Sequence, residues 1–279
     1  MTMLERITID LSEENAKIID HLINGETIKN RKEAIEFILE NSITKFFIKD
    51  AFILAGGKGT RMRPFTYEIP KSLIPVKGKP LLEHILELLK KYEINNVIIS
   101  IGYLGNKIQD YFGNGSKFGV NIKYVKEEKE LGTAGPLKLA EDILRRPFLM
   151  LNGDVLSDLN LYKFIKFHLK HQGLATIALT KVDDVSHFGL VEMEGDKILN
   201  FVEKPKNAKA GFINAGIYIL DPKVIGYVPD GFSMIEKDVF PQLAQEGKLF
   251  GYKIEGQWFD TGTHEAYERA IKKWRGIKV

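Results

Sequence analysis

Between Gly56 and Lys71 the chain places glycines and cations in an order that suits a polyphosphate. Gly56, Gly57 and Gly59 follow the apolar run Ala51-Phe52-Ile53-Leu54, which reads as a buried strand. A glycine-rich turn leaving a strand lets backbone N–H groups approach phosphate oxygens, because glycine has no Cβ. Arg61, Arg63 and Lys71 add cations that pair with those oxygens. The order is neither G-x-x-x-x-G-K-[ST] of a P-loop nor G-x-G-x-x-G of a dinucleotide fold. Two carboxylates stand apart from the charged surface. Asp154 follows the apolar run Phe148–Leu151, at the carboxyl end of a predicted strand, where open α/β sheets bind ligands. Asp260 sits between Trp258 and Gly262, an unusual place for a solvated acid. His168 and His171, three apart on a predicted helix, have metal-ligand spacing but read as ordinary, partly exposed histidines. Trp258 and Trp274 read as core or lid packing.

These residues need a scaffold, and the hydrophobic pattern supplies one. Apolar β-rich runs at 97–101, 148–151, 175–179 and 217–220 alternate with helix-period segments at 81–92, 134–144 and 159–170. That alternation predicts an α/β fold with a mostly parallel sheet covered by helices. The first residues have a different rhythm. Ile7, Ile9 and Leu11 alternate with polar residues and predict a strand. Ser12 then caps a helix bearing Ala16, Ile19, Leu22 and Ile23, with Gly25 at its end, and Asn30 caps a second bearing Ala34, Ile35, Ile38 and Leu39. The expected division is residues 1–48 and 49–279.

The 279 residues carry 40 Lys+Arg against 37 Asp+Glu, a net +3 that argues for neither bulk nucleic-acid nor membrane binding. With no cysteine there is no disulfide, thiolate metal site or thiol nucleophile. No apolar h-region opens the chain and no run approaches the roughly 20 residues of a membrane helix, so a cytoplasmic protein is expected.

The segment Leu54–Val76 resembles the signature of the sugar-1-phosphate nucleotidylyltransferases. Leu131-Gly132-Thr133-Ala134-Gly135, Asn152-Gly153-Asp154, Phe188-Gly189, Glu203-Lys204-Pro205, Asn214-Ala215-Gly216 and Trp258–Thr263 fall in that family's order. The resemblance covers about Lys49 to Trp274 and implies a Rossmann-like catalytic domain, without the C-terminal left-handed β-helix of some relatives. It implies that a sugar 1-phosphate attacks the α-phosphorus of a nucleoside triphosphate and pyrophosphate leaves. By resemblance, Arg61 clamps the β- and γ-phosphates and Lys71 approaches the α-phosphate. Asp154 and Asp260 hold Mg²⁺. Leu54, Gly56, Gly57, Gly59, Thr60, Gly132 and Thr133 line the nucleotide site. Gly189, Glu203, Lys204 and Asn214 serve the sugar phosphate. The run Glu127-Glu128-Lys129-Glu130 before Leu131 resembles the mannose-1-phosphate guanylyltransferase branch. A carboxylate of Glu127 or Glu128 accepts both N1–H and N2–H of guanine, whereas an amide suits uracil or thymine better. A uridylyl- or thymidylyltransferase acting on glucose 1-phosphate is the alternative.

The strand-helix-helix start resembles the ribbon-helix-helix module of DNA-binding repressors, in which two chains pair their strands. Residues 1–49 hold seven Lys and Arg against nine Asp and Glu. That sign opposes phosphate neutralisation, so a homodimer, or a dimer of dimers, is expected ahead of DNA binding. A regulator that senses nucleotide or sugar phosphate and binds DNA is the second reading.

Overall fold

The computed structural model describes residues 8–182, 189–203 and 211–277. The chain divides into two compact units, Met1–Ile43 and Thr44–Val279. The division falls before the expected residue 48, within the helix Arg31–Phe47.

In the smaller unit Ser12 accepts the N–H of Asn15 at 3.2 Å and opens the helix Glu13–His21. Asn30 accepts the N–H of Glu33 at 3.0 Å, and the Glu33 carboxylate accepts the N–H of Lys29 at 2.6 Å, at the head of the helix Arg31–Phe47. Ile19, Ile28 and Ala34 are buried together, with Leu22, Ile23 and Ile35 packed on them. The first helix ends at His21, before Gly25, and the side-chain Oδ1 of Asn24 turns the chain there by accepting the N–H groups of Glu26, Thr27 and Ile28. The expected strand is not formed: residues 8–12 have no regular structure, and Ile7 lies outside the described residues. A lone strand leaves its ladder groups unpaired and needs a second strand beside it.

The larger unit is built on a nine-stranded sheet. Its strands are β1 (Asp50–Ala55), β2 (Asn96–Ile101), β3 (Asn121–Lys126), β4 (Phe148–Asn152), β5 (Ala175–Val182), β6 (Gly189–Glu194), β7 (Lys197–Glu203), β8 (Gly211–Leu220) and β9 (Leu249–Lys253). The order is β3-β2-β1-β4-β8-β5-β9-β7-β6, with β7 and β8 running against the rest. Continuous apolar runs suit strands covered on both faces; Ala51, Phe52, Ile53, Leu149 and Met150 are fully buried. Phe52, Ile98, Met150, Ile177 and Tyr218 share a core with Leu137, Leu144, Phe240 and Leu243.

Helices Leu81–Lys91 and Leu161–His171 form where the periodicity placed them. The segment 134–144 is helical only over Pro136–Leu139, followed by turns. Its start is pinned elsewhere: Ala134 donates to the carbonyl of Ser233 at 2.9 Å. A second core joins Met62, Ile74, Val76 and Leu81 to Leu156, Ala270 and Trp274. It anchors the irregular segment that carries Arg61 and Lys71.

Candidate active site

The parallel strands β3, β2, β1 and β4 end at one edge, and their following residues make a single wall. Gly153 donates to the Leu54 carbonyl at 2.9 Å, Tyr103 to that of Gly56 at 3.1 Å, and Glu127 to that of Ile101 at 2.8 Å. A cavity of about 600 Å³ opens there. Leu54, Gly56, Gly57, Gly59, Thr60, Arg61, Lys71, Ser72, Asp154, Glu127, Glu130, Gly132, Thr133, Phe232 and Met234 are among the residues that line it. A Cβ on Gly56 would stand 2.2 Å from Oε1 of Glu127, so only glycine lets that carboxylate lie against the loop. Gly59 heads a 3₁₀ turn, Thr60–Met62, that aims Arg61 outward while Met62 is fully buried.

A second cavity, about 610 Å³, adjoins the first and is lined by Asn214, Ala215, Gly216, Phe201, Glu236, Lys237, Trp258 and Asp260. Arg61, Asn152 and Asp154 line both. Two compartments therefore meet at a cation, an amide and a carboxylate. Lys71 donates to Oδ2 of Asp154, and the two side chains are 12% and 28% exposed. Burial opposes ionisation of Asp154, but the charges of Lys71 and Arg61 outweigh it and hold the carboxyl below the usual range. Asp260 moves the other way, raised by burial and then by the nearby charge of Asp154, although Lys71, Arg61 and the N–H of Gly262 (2.7 Å) oppose this. Two carboxylates whose mutual repulsion is not fully offset form a hard oxygen donor set of the kind Mg²⁺ takes together with substrate phosphates. No cage of three or more His, Cys, Asp or Glu exists among the described residues.

Glu127 is held at both oxygens, accepting from Ser100 Oγ at 2.6 Å and the N–H of Leu131 at 3.3 Å. Burial raises its carboxyl above the ordinary range despite those two bonds. Glu128 is exposed and does not line the cavity. Asn214 donates to the hydroxyl of Tyr218 at 2.9 Å and accepts the N–H of Gly216 at 2.8 Å. Gly189 and Glu203 are register partners across β6 and β7, while Lys204 and Phe188 lie outside the described residues.

The histidines do not form a pair. His168 is buried on Thr176 at 2.8 Å, its ring pulled down to about 4 by burial, and His171 contacts Asp196 at 3.1 Å. Trp258 lines the second cavity and donates to the Ala215 carbonyl at 2.8 Å, whereas Trp274 is core. Asn152, Phe232, Glu236 and Lys237 carry no sequence signal on their own. Asn152 alone sat inside a quoted motif, and its Oδ1 is buried without a hydrogen-bond partner.

Residues 50–275 match the nucleotidyl transferase family model. The chain is 40% identical over 218 residues to the mannose-1-phosphate guanylyltransferase catalytic subunit beta of Xenopus tropicalis, covering 76% of this chain and 61% of that protein. It therefore spans about three fifths of the length of the curated relatives it matches. Among solved structures, HddC from Yersinia pseudotuberculosis complexed with GMP-PN is 30% identical with a TM-score of 0.72, covering 81% of this chain and 100% of that one. A UDP-glucose pyrophosphorylase complexed with UDP-glucose is 25% identical with a TM-score of 0.71, covering 82% and 98%.

Proposed function

We propose, because the chain belongs to the nucleotidyl transferase family, that it joins a nucleoside triphosphate to a sugar 1-phosphate. The observation that carries this is the meeting of two cavities at Arg61, Asn152 and Asp154. One compartment takes the nucleotide, the other the sugar phosphate. An oxygen of the sugar phosphate attacks the α-phosphorus, the bond from that phosphorus to the β-phosphate oxygen breaks, and pyrophosphate leaves. No general base is needed, because the attacking oxygen is ionised near neutral pH. What the site contributes is alignment and positive charge. Arg61 holds the β- and γ-phosphates with the N–H groups of Gly57 to Thr60. Lys71 offsets charge at the α-phosphate, and Asp154 keeps its ammonium in place. Mg²⁺, held by Asp154 and Asp260, would neutralise phosphate charge. Lys204, Glu203, Gly189 and Asn214 serve the sugar phosphate.

Glu127 supports guanine as the base, since its position in the nucleotide cavity gives a carboxylate to two adjacent donors. The guanylyltransferase relative supports mannose 1-phosphate as the sugar. Water-soluble nucleotide and sugar phosphate substrates support a cytoplasmic location. No helix among the described residues is long and apolar enough to cross a membrane. The smaller unit serves as a homodimer contact: Ile9, Ile18 and Leu39 are 58%, 54% and 58% exposed beside a very small core. Its acidic balance disfavours DNA. Pyrophosphate release across four nucleoside triphosphates and a panel of sugar 1-phosphates tests the reading. Release with GTP and a manno-configured sugar is expected. Release only with UTP or dTTP and glucose 1-phosphate overturns the base assignment, and none with any pair overturns the reaction.

A further inference from the structure

One carboxylate in the second cavity has no part in the reaction as described. Glu236 lies in a π-helical turn, Ile235–Val239, a form that recurs at functional sites. Its two oxygens are held unequally. Oε2 accepts the hydroxyl of Thr133 at 2.7 Å, whereas Oε1 has only a weak contact at 3.4 Å from the hydroxyl of Tyr218. Tyr218 is fully buried and is itself met by Asn214 at 2.9 Å.

Thr133 belongs to the other compartment. It lines the nucleotide cavity, yet its hydroxyl proton goes to Glu236 and its oxygen accepts the N–H of Ile235 at 2.9 Å. The two loops are bonded along their backbones as well: Ser233 donates to Leu131 at 3.0 Å and Ala134 to Ser233 at 2.9 Å. Gly132, at φ +77°, brings them together, since a Cβ there would lie 2.3 Å from the Ser233 carbonyl oxygen. The loop beside the nucleotide thus fixes a carboxylate beside the sugar.

We propose that Glu236 reads the sugar by accepting hydrogen bonds from its hydroxyls at Oε1, and that Thr133 is the positioning residue that couples this contact to the nucleotide cavity. The inference rests on the second cavity being the sugar phosphate site. A carboxylate oxygen with spare lone pairs facing a polyol makes charge-assisted bonds, stronger than neutral ones. Coupling between two ligands is reciprocal, so the factor by which bound nucleotide changes sugar phosphate affinity is also the factor by which the sugar phosphate changes nucleotide affinity.

The test uses the full chain with its best nucleoside triphosphate and sugar 1-phosphate, together with the monodeoxy sugar 1-phosphates. Glu236→Gln is expected to raise KM for the sugar phosphate about tenfold to a hundredfold. At least one deoxy sugar should lose nothing further in that variant, because the hydroxyl it lacks is the one Glu236 receives. Thr133→Val should raise the same KM and remove the effect of nucleotide on sugar affinity, while Thr133→Ser restores both. Unchanged thermal midpoints separate these effects from unfolding. Additive losses for every deoxy sugar overturn the contact with Glu236. Equal behaviour of Thr133→Val and Thr133→Ser overturns the coupling. A wild-type protein that turns over no pair of substrates overturns instead the reaction on which the inference rests.

Discussion

Replacing Lys71 by Met keeps most of the unbranched side chain and removes its ammonium, both the charge and the N–H donors. Lys71 is 12% exposed and bonded to Asp154, so its ammonium acts in a medium well below the dielectric of water. At an effective dielectric of about 20, two unit charges 4 Å apart interact by about 4 kcal/mol. Arg61 and solvent recover part of that, leaving about 3 kcal/mol lost from the transition state, on the order of a hundredfold in kcat. The nucleotide KM should move much less, because Arg61 and the glycine loop still hold the β- and γ-phosphates. Asp154 and Asp260 then face each other without their nearest cation, so both carboxyls titrate higher and folding loses about 1–3 kcal/mol. Steady-state pyrophosphate release and thermal melts of both proteins read these effects. A kcat within threefold of wild type would refute the placement of Lys71 at the α-phosphate.

Asp260→Asn should remove Mg²⁺-supported turnover; activity that still rises with Mg²⁺ would show that the ion is held elsewhere. Glu127→Gln should cut the preference for GTP over UTP by roughly tenfold to a hundredfold, read as the ratio of kcat/KM values. Burial raises the Glu127 carboxyl, so acidification protonates it earlier than an ordinary glutamate. GTP kcat/KM should therefore fall with decreasing pH in wild type and stay flat through that range in the variant. The same sign means that the ionised side chain lowers folding stability above its raised pKa, so Glu127→Gln should not destabilise at neutral pH. Ile18→Glu with Leu39→Glu should convert a dimer to a monomer in sedimentation, and an unchanged mass would count against the homodimer contact.

The sheet was legible because its central strands are buried on both faces. Ala51–Leu54 and Phe148–Leu151 are continuous apolar runs short enough to suit strands covered on both faces. Asp154 was legible for the same reason, standing at the end of such a run. The strand expected over Ile7–Leu11 shows the limit of periodicity. Alternation describes a half-buried strand but does not supply the second strand that pairs with it. The segment 134–144 shows another limit. Its helical pattern was real over Pro136–Leu139, but contacts with residues 231–235, distant in sequence, fix where the helix begins. Nothing in the sequence Met234-Ile235-Glu236-Lys237-Asp238 singles out Glu236. Its place in the second cavity and the bond from Thr133, 103 residues earlier, mark Glu236 as part of the site.

The central claim is that the sugar phosphate oxygen itself joins the α-phosphorus. Turnover of a sugar 1-phosphate carrying ¹⁸O throughout its phosphate, with mass analysis of both products, tests it most directly. All of the label should appear in the nucleotide sugar and none in the pyrophosphate. Label in the pyrophosphate, or release of nucleoside monophosphate in place of a nucleotide sugar, would contradict the account.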